Sequence, residues 1–545
     1  MKCITRGVWR RLVLFAVMIT CALSHPSRLL ADDALPKGES PVEAATDEDI
    51  TFEIKGFMVE GNTLFPEKKG RVSLREFTGP GKSSADVDKA RELLEKFYHD
   101  SGYPTVFVSI PEQSLEDGIV RFQIIESKIN SVTVNGNHYY STEQILAELP
   151  SLAPGGIIYL PKVQEEINQI NLTPDLKVTP ALVPGKEVGI VEVELKVEDH
   201  LPFHGSLELS NRYTVGTTDL RLNGMLRYDN LWRKKHAFSI QYQLSPEDPN
   251  EVEAVSAAYS LPLPGRDQDH LAIYGVYNKS NTAFGEGFQA IGSGSVIGLR
   301  YQPALSQVAG MSQSLSLGVD YKDFKDETGL SGGGTNASPI TYVPLSVSYG
   351  LTHPDSTGFT QVMAAVNVSF RGLTSEANFG AKRYNAHGNY IYTTLAVART
   401  QNLPEGLTWY GKVDGQLSDQ PLISNEQYAA GGMDSIRGYH ESEAMGDNAL
   451  HVTLELRAPE LFKYGRYKDT LSCTPYLSYQ GAWLTIKDPL PGQQSSLNLQ
   501  GAGLGIRGGL WGKFDYELLW GHTLTGTNSG AGNRNRVHFL ARLLF

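Results

Sequence analysis

The segment VHFLARLLF, residues 537–545, alternates between two faces. His538 and Arg542 share one face with leucines, and the other face is wholly apolar. A period of two residues is typical of a β-strand, and an arginine on the inner face is tolerated where that face meets water. The pattern therefore predicts a transmembrane β-barrel strand with an apolar outer face. A soluble β-sandwich gives the same alternation with the opposite sense.

Similar segments of 9 to 14 residues recur from about residue 201, separated by clusters of Gly, Pro, Asp and Asn. In lipid an open sheet would leave unpaired backbone groups at its edges, so the sheet must close. An even strand count, the apparent signal peptide and the terminal Phe545 favour the membrane over a sandwich. Sixteen strands are predicted at residues 203–214, 218–228, 236–245, 253–262, 269–279, 291–302, 312–322, 340–351, 360–371, 386–399, 406–416, 448–458, 471–484, 498–511, 512–522 and 535–545. The barrel domain is therefore placed at residues 200–545.

The N-terminus predicts a secretory signal peptide at residues 1–31. Four basic residues precede an apolar run at 12–23 that is too short to cross a bilayer as a helix. A retained anchor is the alternative. The acidic stretch 32–50 is predicted to be a linker. Its sequence does not decide whether an N-terminal helix fills the barrel lumen. Cleavage leaves 43 Lys and Arg against 60 Asp and Glu, a net charge of −17 that argues against nucleic-acid binding. Cys473 would then be the only cysteine, which excludes an intramolecular disulfide.

Two repeats precede the barrel, marked by VEGNTLF (59–65) and VNGNHYY (134–140). Each motif ends an alternating strand at a Gly-Asn turn, and helical signals and two further strands follow. The order β-α-α-β-β predicts α+β domains at residues 51–127 and 128–199. Such a sheet leaves an edge strand open, which can accept an extended peptide as an added strand. The alternative is that the repeats are spacers.

Catalytic motifs are absent from the sequence. There is no HExxH, Walker loop, CxxC or GxSxG, and the 13 histidines show no metal-ligand spacing. GLGIRG (503–508) fits the GxGxxG pattern, but no helix follows it. Its glycines are better interpreted as strand positions where the barrel curves or packs something closely. We expect no enzyme activity, cofactor or metal.

GGMDSIRGYHESE, residues 431–443, falls between the eleventh and twelfth predicted strands. From a periplasmic N-terminus, this connection is the sixth outer loop and about 30 residues long. Loops of that length are usually functional or disordered. Its glycines and sparse charges favour a loop that folds back into the barrel.

Together these features resemble the two-partner secretion transporters of the TpsB type, the ShlB/HecB/FhaC family within the BamA-like superfamily. The repeats resemble that family's POTRA domains, and Ile436-Arg437-Gly438-Tyr439 is similar to its sixth-loop motif. The turn at 228–232 (YDNLW) is also similar to a family sequence. The resemblance implies an outer-membrane pore of a Gram-negative bacterium with periplasmic POTRA domains. The implied partners are a secreted TpsA-type exoprotein, such as a haemolysin or adhesin, and outer-membrane lipid.

The resemblance also implies that Arg437 reaches into the barrel and pairs with an acid on its wall. The family places that acid on strand 13, where this chain has PYLSYQG with Ser478 at the position. A buried guanidinium without a partner would cost several kcal/mol. We therefore expect another inward carboxylate, with Glu455, Asp515 and Glu517 as candidates. The alternative is that Ser478 and backbone carbonyls satisfy the arginine.

Two other functions stay open on the sequence. An insertase that assembles other barrel proteins would use the same loop motif, but such proteins generally carry three or more repeats. A passive porin would need no peptide-binding repeats.

Overall fold

The computed structural model describes residues 51–65, 73–115, 117–279, 293–306, 308, 310–329, 335–373, 376–462, 470–526 and 535–545. The predicted signal peptide and linker, residues 1–50, lie outside the described residues. Among the described residues, no α-helix combines the length and apolar character needed to cross a membrane.

Among the described residues, the first repeat has one α-helix packed on a sheet, where the sequence predicted two, and a short 3-10 helix (Leu74–Phe77) precedes β3. The strand β5 lies between β2, which runs parallel to it, and β4, which runs antiparallel. Val87, Ala90 and Leu94 line the buried face of the helix α1, as the spacing predicts. The elements are β1 (Phe52–Ile54), β2 (Gly56–Glu60), β3 (Gly79–Lys82), α1 (Ser84–Asp100), β4 (Val106–Ser109) and β5 (Ile119–Glu126).

The second repeat has the same sheet order, with β8 between a parallel and an antiparallel neighbour. Ser141 and Gln144 form the predicted capping box, in which each side chain bonds the other residue's amide. The elements are β6 (Lys128–Asn135), α2 (Thr142–Ala147), α3 (Leu160–Ile170), β7 (Leu176–Pro184) and β8 (Ile190–Asp199).

The repeated Gly-Asn turns have a steric and an electrostatic cause. Gly61 and Gly136 have φ of 83° and 97°, and a Cβ at Gly136 would stand 2.3 Å from a backbone carbonyl oxygen. The amides that follow each turn bond to an acid that ends the last strand of the repeat, Glu126 or Asp199. The motif thus ties the first strand of each repeat to its last.

The barrel is a closed antiparallel sheet that crosses the membrane with sixteen strands, which confirms the predicted fold class. All sixteen predicted spans overlap an observed strand. One of the sixteen membrane-spanning strands consists of two segments, β16 and β17. The strand is interrupted at Val343 and Pro344, and both segments pair with β15. The strands are β9 (Phe203–Ser210), β10 (Arg221–Leu231), β11 (His236–Leu244), β12 (Glu253–Leu263), β13 (Arg266–Asn278), β14 (Gly294–Gln302), β15 (Ser312–Gly329), β16 (Thr335–Tyr342), β17 (Leu345–Asp355), β18 (Gly358–Val368), β19 (Ile391–Asn402), β20 (Thr408–Ser418), the loop hairpin β21 (Tyr428–Ala430) and β22 (Ala444–Gly446), then β23 (Asn448–Arg457), β24 (Thr474–Thr485), β25 (Ser496–Leu510), β26 (Phe514–Thr523) and β27 (Asn535–Leu544).

The alternation along β26 confirms the predicted sense of the barrel. Leu518 and Trp520 are 48% and 47% exposed on the outer surface, whereas Leu519 is fully buried on the inner side. On β23 the inward positions hold polar side chains, among them His451 and Glu455, which are 2% and 3% exposed. Apolar side chains therefore face the lipid and polar ones the lumen.

The first and last strands close the barrel along a short seam. Ser206 to Ser210 on β9 pair with Leu540 to Leu544 on β27. The ladder continues through the backbone of Gly205 and Phe545, which exchange bonds of 2.8 and 3.0 Å.

Candidate functional site

The sixth outer loop, residues 419–447, is an ordered element inside the barrel. Its two arms pair as β21 and β22, so the segment 431–443 forms the tip of a hairpin. Ile436, Arg437 and Tyr439 are 0%, 7% and 3% exposed. The loop thus folds back into the lumen, and its tip is packed against the wall.

The tip fits the wall closely because glycines lie opposite it. A Cβ at Gly501 on β25 would stand 2.3 Å from the Arg437 carbonyl oxygen, and one at Gly521 on β26 would stand 2.5 Å from the Gly438 amide nitrogen. Further along β25, a Cβ at Gly505 would stand 2.5 Å from the ring of Tyr476. Glycines of the GxGxxG-like stretch and its neighbours therefore make room for side chains and backbone inside the barrel.

Arg437 reaches Glu455 on β23, with 2.7 Å between its Nη2 and the carboxylate Oε1. The other carboxylate oxygen, Oε2, accepts hydrogen bonds from Arg457 (3.0 and 2.8 Å) and from Arg507 (2.8 Å). Arg437 and Arg507 also lie over the ring of Tyr476, with guanidinium carbons 5.2 and 4.1 Å from its centroid. One buried carboxylate thus gathers three guanidinium groups.

The other predicted partners bond elsewhere. Ser478 lies directly opposite Glu455 in the ladder between β23 and β24, and its hydroxyl donates to the Gly503 carbonyl oxygen at 3.3 Å. Glu517 accepts a hydrogen bond from the Tyr476 hydroxyl. Asp515 is paired in the ladder with Arg542. Of the four candidates, the structure brings only Glu455 into hydrogen bonding with Arg437 among the described residues.

Arg437 keeps unused bonding capacity. Its Nε and Nη1 are buried and have no hydrogen-bond partner among the described residues. A buried charge with one satisfied donor is held mainly by its carboxylate and by the Tyr476 ring. The arginine therefore depends strongly on Glu455.

Two further carboxylates hold the base of the loop, and sequence reasoning missed both. Asp447 accepts a two-pronged bond from Arg383, at 3.0 and 2.7 Å, and also the amides of Leu422 and Lys487. Arg383 directly follows the short helix α4 (Glu376–Lys382) of the fifth outer loop. The fifth and sixth loops are therefore joined.

Glu426 is the second of these carboxylates. It accepts from Lys322 (2.6 Å) on β15, Tyr342 (2.6 Å) on β16 and Tyr392 (2.8 Å) on β19. The acid is 4% exposed. The only sequence signal was a lone acid within the apolar-rich run PLISNEQYAAGGM.

The loop tip also contacts β27 and the segment that follows β9 at the barrel seam. The Gly438 amide donates to Nε2 of His538 on β27 at 3.3 Å. The Glu441 amide donates to the Tyr213 carbonyl oxygen at 3.1 Å, just beyond β9, and Arg212 bonds to Asp434.

The repeats have edge strands that differ in their exposure to new partners. In β4, the Val108 amide donates to Glu95 at 3.0 Å, and the Val106 carbonyl oxygen contacts the His99 ring at 3.0 Å. In β7, Asn171 bonds both the amide and the carbonyl of Val178, at 2.7 and 3.1 Å. Side chains of the preceding helix thus occupy the start of both edges.

The rest of β7 offers few donors. Backbone groups alternate in direction along a strand, so after Val178 the outward amides belong to positions 180, 182 and 184. Pro180 and Pro184 have no amide hydrogen. By contrast, β2 pairs with β5 on one side and with no other strand among the described residues, and its Met58 and Val59 are 44% and 41% exposed.

Comparison with known proteins identifies relatives over most of the chain. The model of the haemolysin secretion/activation protein ShlB/FhaC/HecB family matches residues 189–508, and that of the ShlB-type POTRA domain matches residues 52–127. The outer membrane transporter CdiB of Dickeya dadantii (strain 3937) is 25% identical over 74% of this chain and 72% of its own length. The hemolysin transporter protein HpmB of Proteus mirabilis is 22% identical over 76% and 73%. The solved structure of CdiB from Escherichia coli matches with a TM-score of 0.64 at 19% identity, covering 93% of both chains.

Proposed function

Because the chain belongs to the haemolysin secretion/activation protein ShlB/FhaC/HecB family, we propose that it exports one dedicated TpsA-type exoprotein. It is an outer-membrane transporter of the two-partner secretion type, with its POTRA domains in the periplasm. The exoprotein, a haemolysin or adhesin, is captured by these domains, crosses the barrel in extended form and folds outside. Its folding supplies the driving force, since no ATP is present at the outer membrane. The apolar outer face of the barrel meets membrane lipid.

The observation that carries this proposal is the loop tip held inside the lumen. A passive pore needs no such element, whereas an exporter must keep a wide barrel closed until cargo arrives. Arg437 fixes the tip through Glu455, 2.7 Å away, and the loop base is fixed separately through Asp447 and Glu426. The cargo then displaces the tip while the base holds the loop in register.

Capture is assigned to the outer edge of β2 in the first POTRA domain. Strand addition needs free backbone groups along an edge, and side chains or prolines occupy much of β4 and β7. The exposed Met58 and Val59 on β2 add apolar contact for alternate side chains of the incoming strand.

We expect a neighbouring gene for a large exoprotein, and export is tested by expressing the chain together with that exoprotein. Secretion into the medium is expected for the wild type and is expected to fail for Arg437→Ala. A general loss of other barrel proteins from the outer membrane on deletion of the gene would instead favour an insertase. Equal secretion with and without this chain would overturn the export proposal.

Capture is tested by cysteine cross-linking to the N-terminal region of that exoprotein. Val59→Cys on β2 is expected to cross-link, and Val183→Cys on β7 is the matched control because both valines are 41% exposed on edge strands. Cross-linking at position 183 but not at 59 would move the docking strand to the second domain.

A further inference from the structure

We propose that Asp175, His204 and Asp229 form a zinc site at the junction between the second POTRA domain and the barrel. Asp175 precedes β7 in the POTRA domain, whereas His204 lies on β9 and Asp229 on β10. One donor atom from each residue can be chosen so that all three lie within 4.8 Å of one another, a group found among the described residues. The three residues are distant in sequence, which explains why ligand spacing did not reveal them.

The distances suit a single ion. His204 Nε2 lies 2.8 Å from Asp175 Oδ2 and 3.9 Å from Asp229 Oδ2. Zinc binds nitrogen and oxygen donors at about 2.0–2.2 Å, so two donors of one ion lie no more than about 4 Å apart. Both distances meet that limit, and all three donor atoms lie within 4.8 Å of one another.

Charge and access also favour a cation. Two carboxylates face one imidazole, and Arg227 neutralises only part of this charge by donating to Asp229 Oδ1 at 2.6 Å. The bond leaves Oδ2 of that aspartate directed towards His204. The Asp175 side chain is 9% exposed and that of His204 is 40% exposed, so an ion can enter from the imidazole side.

Tyr140 supplies an independent observation. It is 4% exposed, and its hydroxyl is buried without a hydrogen-bond partner among the described residues. Burial raises the pKa of this hydroxyl, and the nearby carboxylates of Asp175 and Asp229 raise it further. This buried hydroxyl lies within range of the charges of both aspartates and has no hydrogen-bond partner among the described residues, which is costly in a folded protein. Water bound to the ion in an open ligand position would be the missing hydrogen-bond partner of this hydroxyl.

The donor set selects zinc among common cations. Magnesium and calcium prefer six or more oxygen ligands, whereas one imidazole with two carboxylates suits zinc with a bound water. An ion here would join the POTRA domain to the barrel. It would act beside two existing contacts, the 2.9 Å bond from Gln144 to Asn230 and the ion pair of Lys235 with Glu148.

The test uses the full chain in detergent, stripped with EDTA and titrated with ZnCl₂, CoCl₂ or MgCl₂. The wild type is expected to bind one more zinc per chain than His204→Gln and to give a tetrahedral cobalt absorption band that this variant lacks. Tyr140→Phe should weaken zinc binding about 10-fold. His138→Gln is the matched control, because His138 also lies beside a carboxylate (Asp199, 3.4 Å) in the same domain but outside the triad.

Zinc should also slow hydrogen exchange around Asp175 in the wild type and in His138→Gln, but not in His204→Gln. Equal zinc binding by the wild type and His204→Gln would overturn the proposal. So would equal binding of magnesium and zinc, or a cobalt spectrum unchanged by Asp175→Asn. Heat-modifiable migration on gels shows that each variant is folded.

Discussion

The backbone of Arg437 lies against the bare Cα of Gly501: a Cβ at that position would stand 2.3 Å from the Arg437 carbonyl oxygen. The position of Arg437 therefore depends on the missing side chain at Gly501 as well as on the hydrogen bond to Glu455.

Gly501→Ala is expected to push the loop tip away from the wall and to reduce secretion. Overpacking of this kind costs about 1–3 kcal/mol. Gly224→Ala on β10 is the control, because its added Cβ would meet its nearest atom at 3.9 Å, an ordinary contact. Thermal unfolding and secretion are measured together, and equal behaviour of the two variants would contradict this packing.

Glu455→Gln keeps the shape of the side chain but removes its charge. Since three guanidinium groups bond to this carboxylate, we expect the free energy of unfolding to fall by about 3–5 kcal/mol and secretion to fail. The control is Asp515→Asn, which changes an inward acid without a hydrogen bond to Arg437. This variant should keep wild-type stability and wild-type secretion. The movement of the tip is measured by thiol labelling of Ile436→Cys, which should increase when combined with Glu455→Gln but not with Asp515→Asn. If labelling is unchanged, Glu455 does not hold the tip.

Arg383→Lys keeps the charge but loses the two-pronged bond to Asp447. We expect the sixth loop to become sensitive to added protease on intact cells, with a loss of about 1–3 kcal/mol in stability. Arg371→Lys in the same outer loop is the control, because that side chain is 64% exposed. Equal protease resistance would show that the fifth loop does not support the sixth.

Asp199→Asn should weaken the protection of the amides at 138–140 from hydrogen exchange. The control is Glu198→Gln, which changes the exposed neighbouring acid and should leave this protection intact. Burial opposes ionisation of Asp199, but bonds from the amides of Tyr140, His138 and Tyr139 outweigh it and lower the pKa of its carboxyl below 3.8. A carboxyl with a lowered pKa stabilises the fold fully above its ordinary pKa and loses this effect as pH falls through the lowered value. Wild-type protection should therefore persist at pH 5 and fall below about pH 4. Protection in Asp199→Asn that changes with pH as in the wild type would contradict this assignment.

The barrel could be predicted from the sequence because each strand has a two-sided environment. Lipid outside and water inside impose a period of two, and segments such as 537–545 carry that period without exception on the outer face. The break at Val343 and Pro344 escaped prediction, since a single proline does not show whether a strand ends or continues in the same position.

Part of the candidate site could be predicted from the sequence. Arg437 was found from its motif, and Glu455 was among the candidates because it lies on an inward position. Choosing among the candidates required the register between strands, which sequence does not contain. Glu455 lies opposite Ser478, so the carboxylate stands one strand aside, about 4.8 Å away, from the position where the family pattern places it. Glu426 and Asp447 lie in irregular segments without a period, which is why their burial could not be inferred.

Because the loop tip contacts His538, Tyr213 and Arg212, it also links the two ends of the barrel sheet. These bonds lie at the join between β9 and β27, where five residue pairs and the backbone bonds of Gly205 with Phe545 form the ladder. In the proposed export mechanism, cargo that displaces the tip also breaks these bonds. In that step the seam loses its contacts with the loop tip and is held by its own ladder and by the ion pair of Arg542 with Glu208.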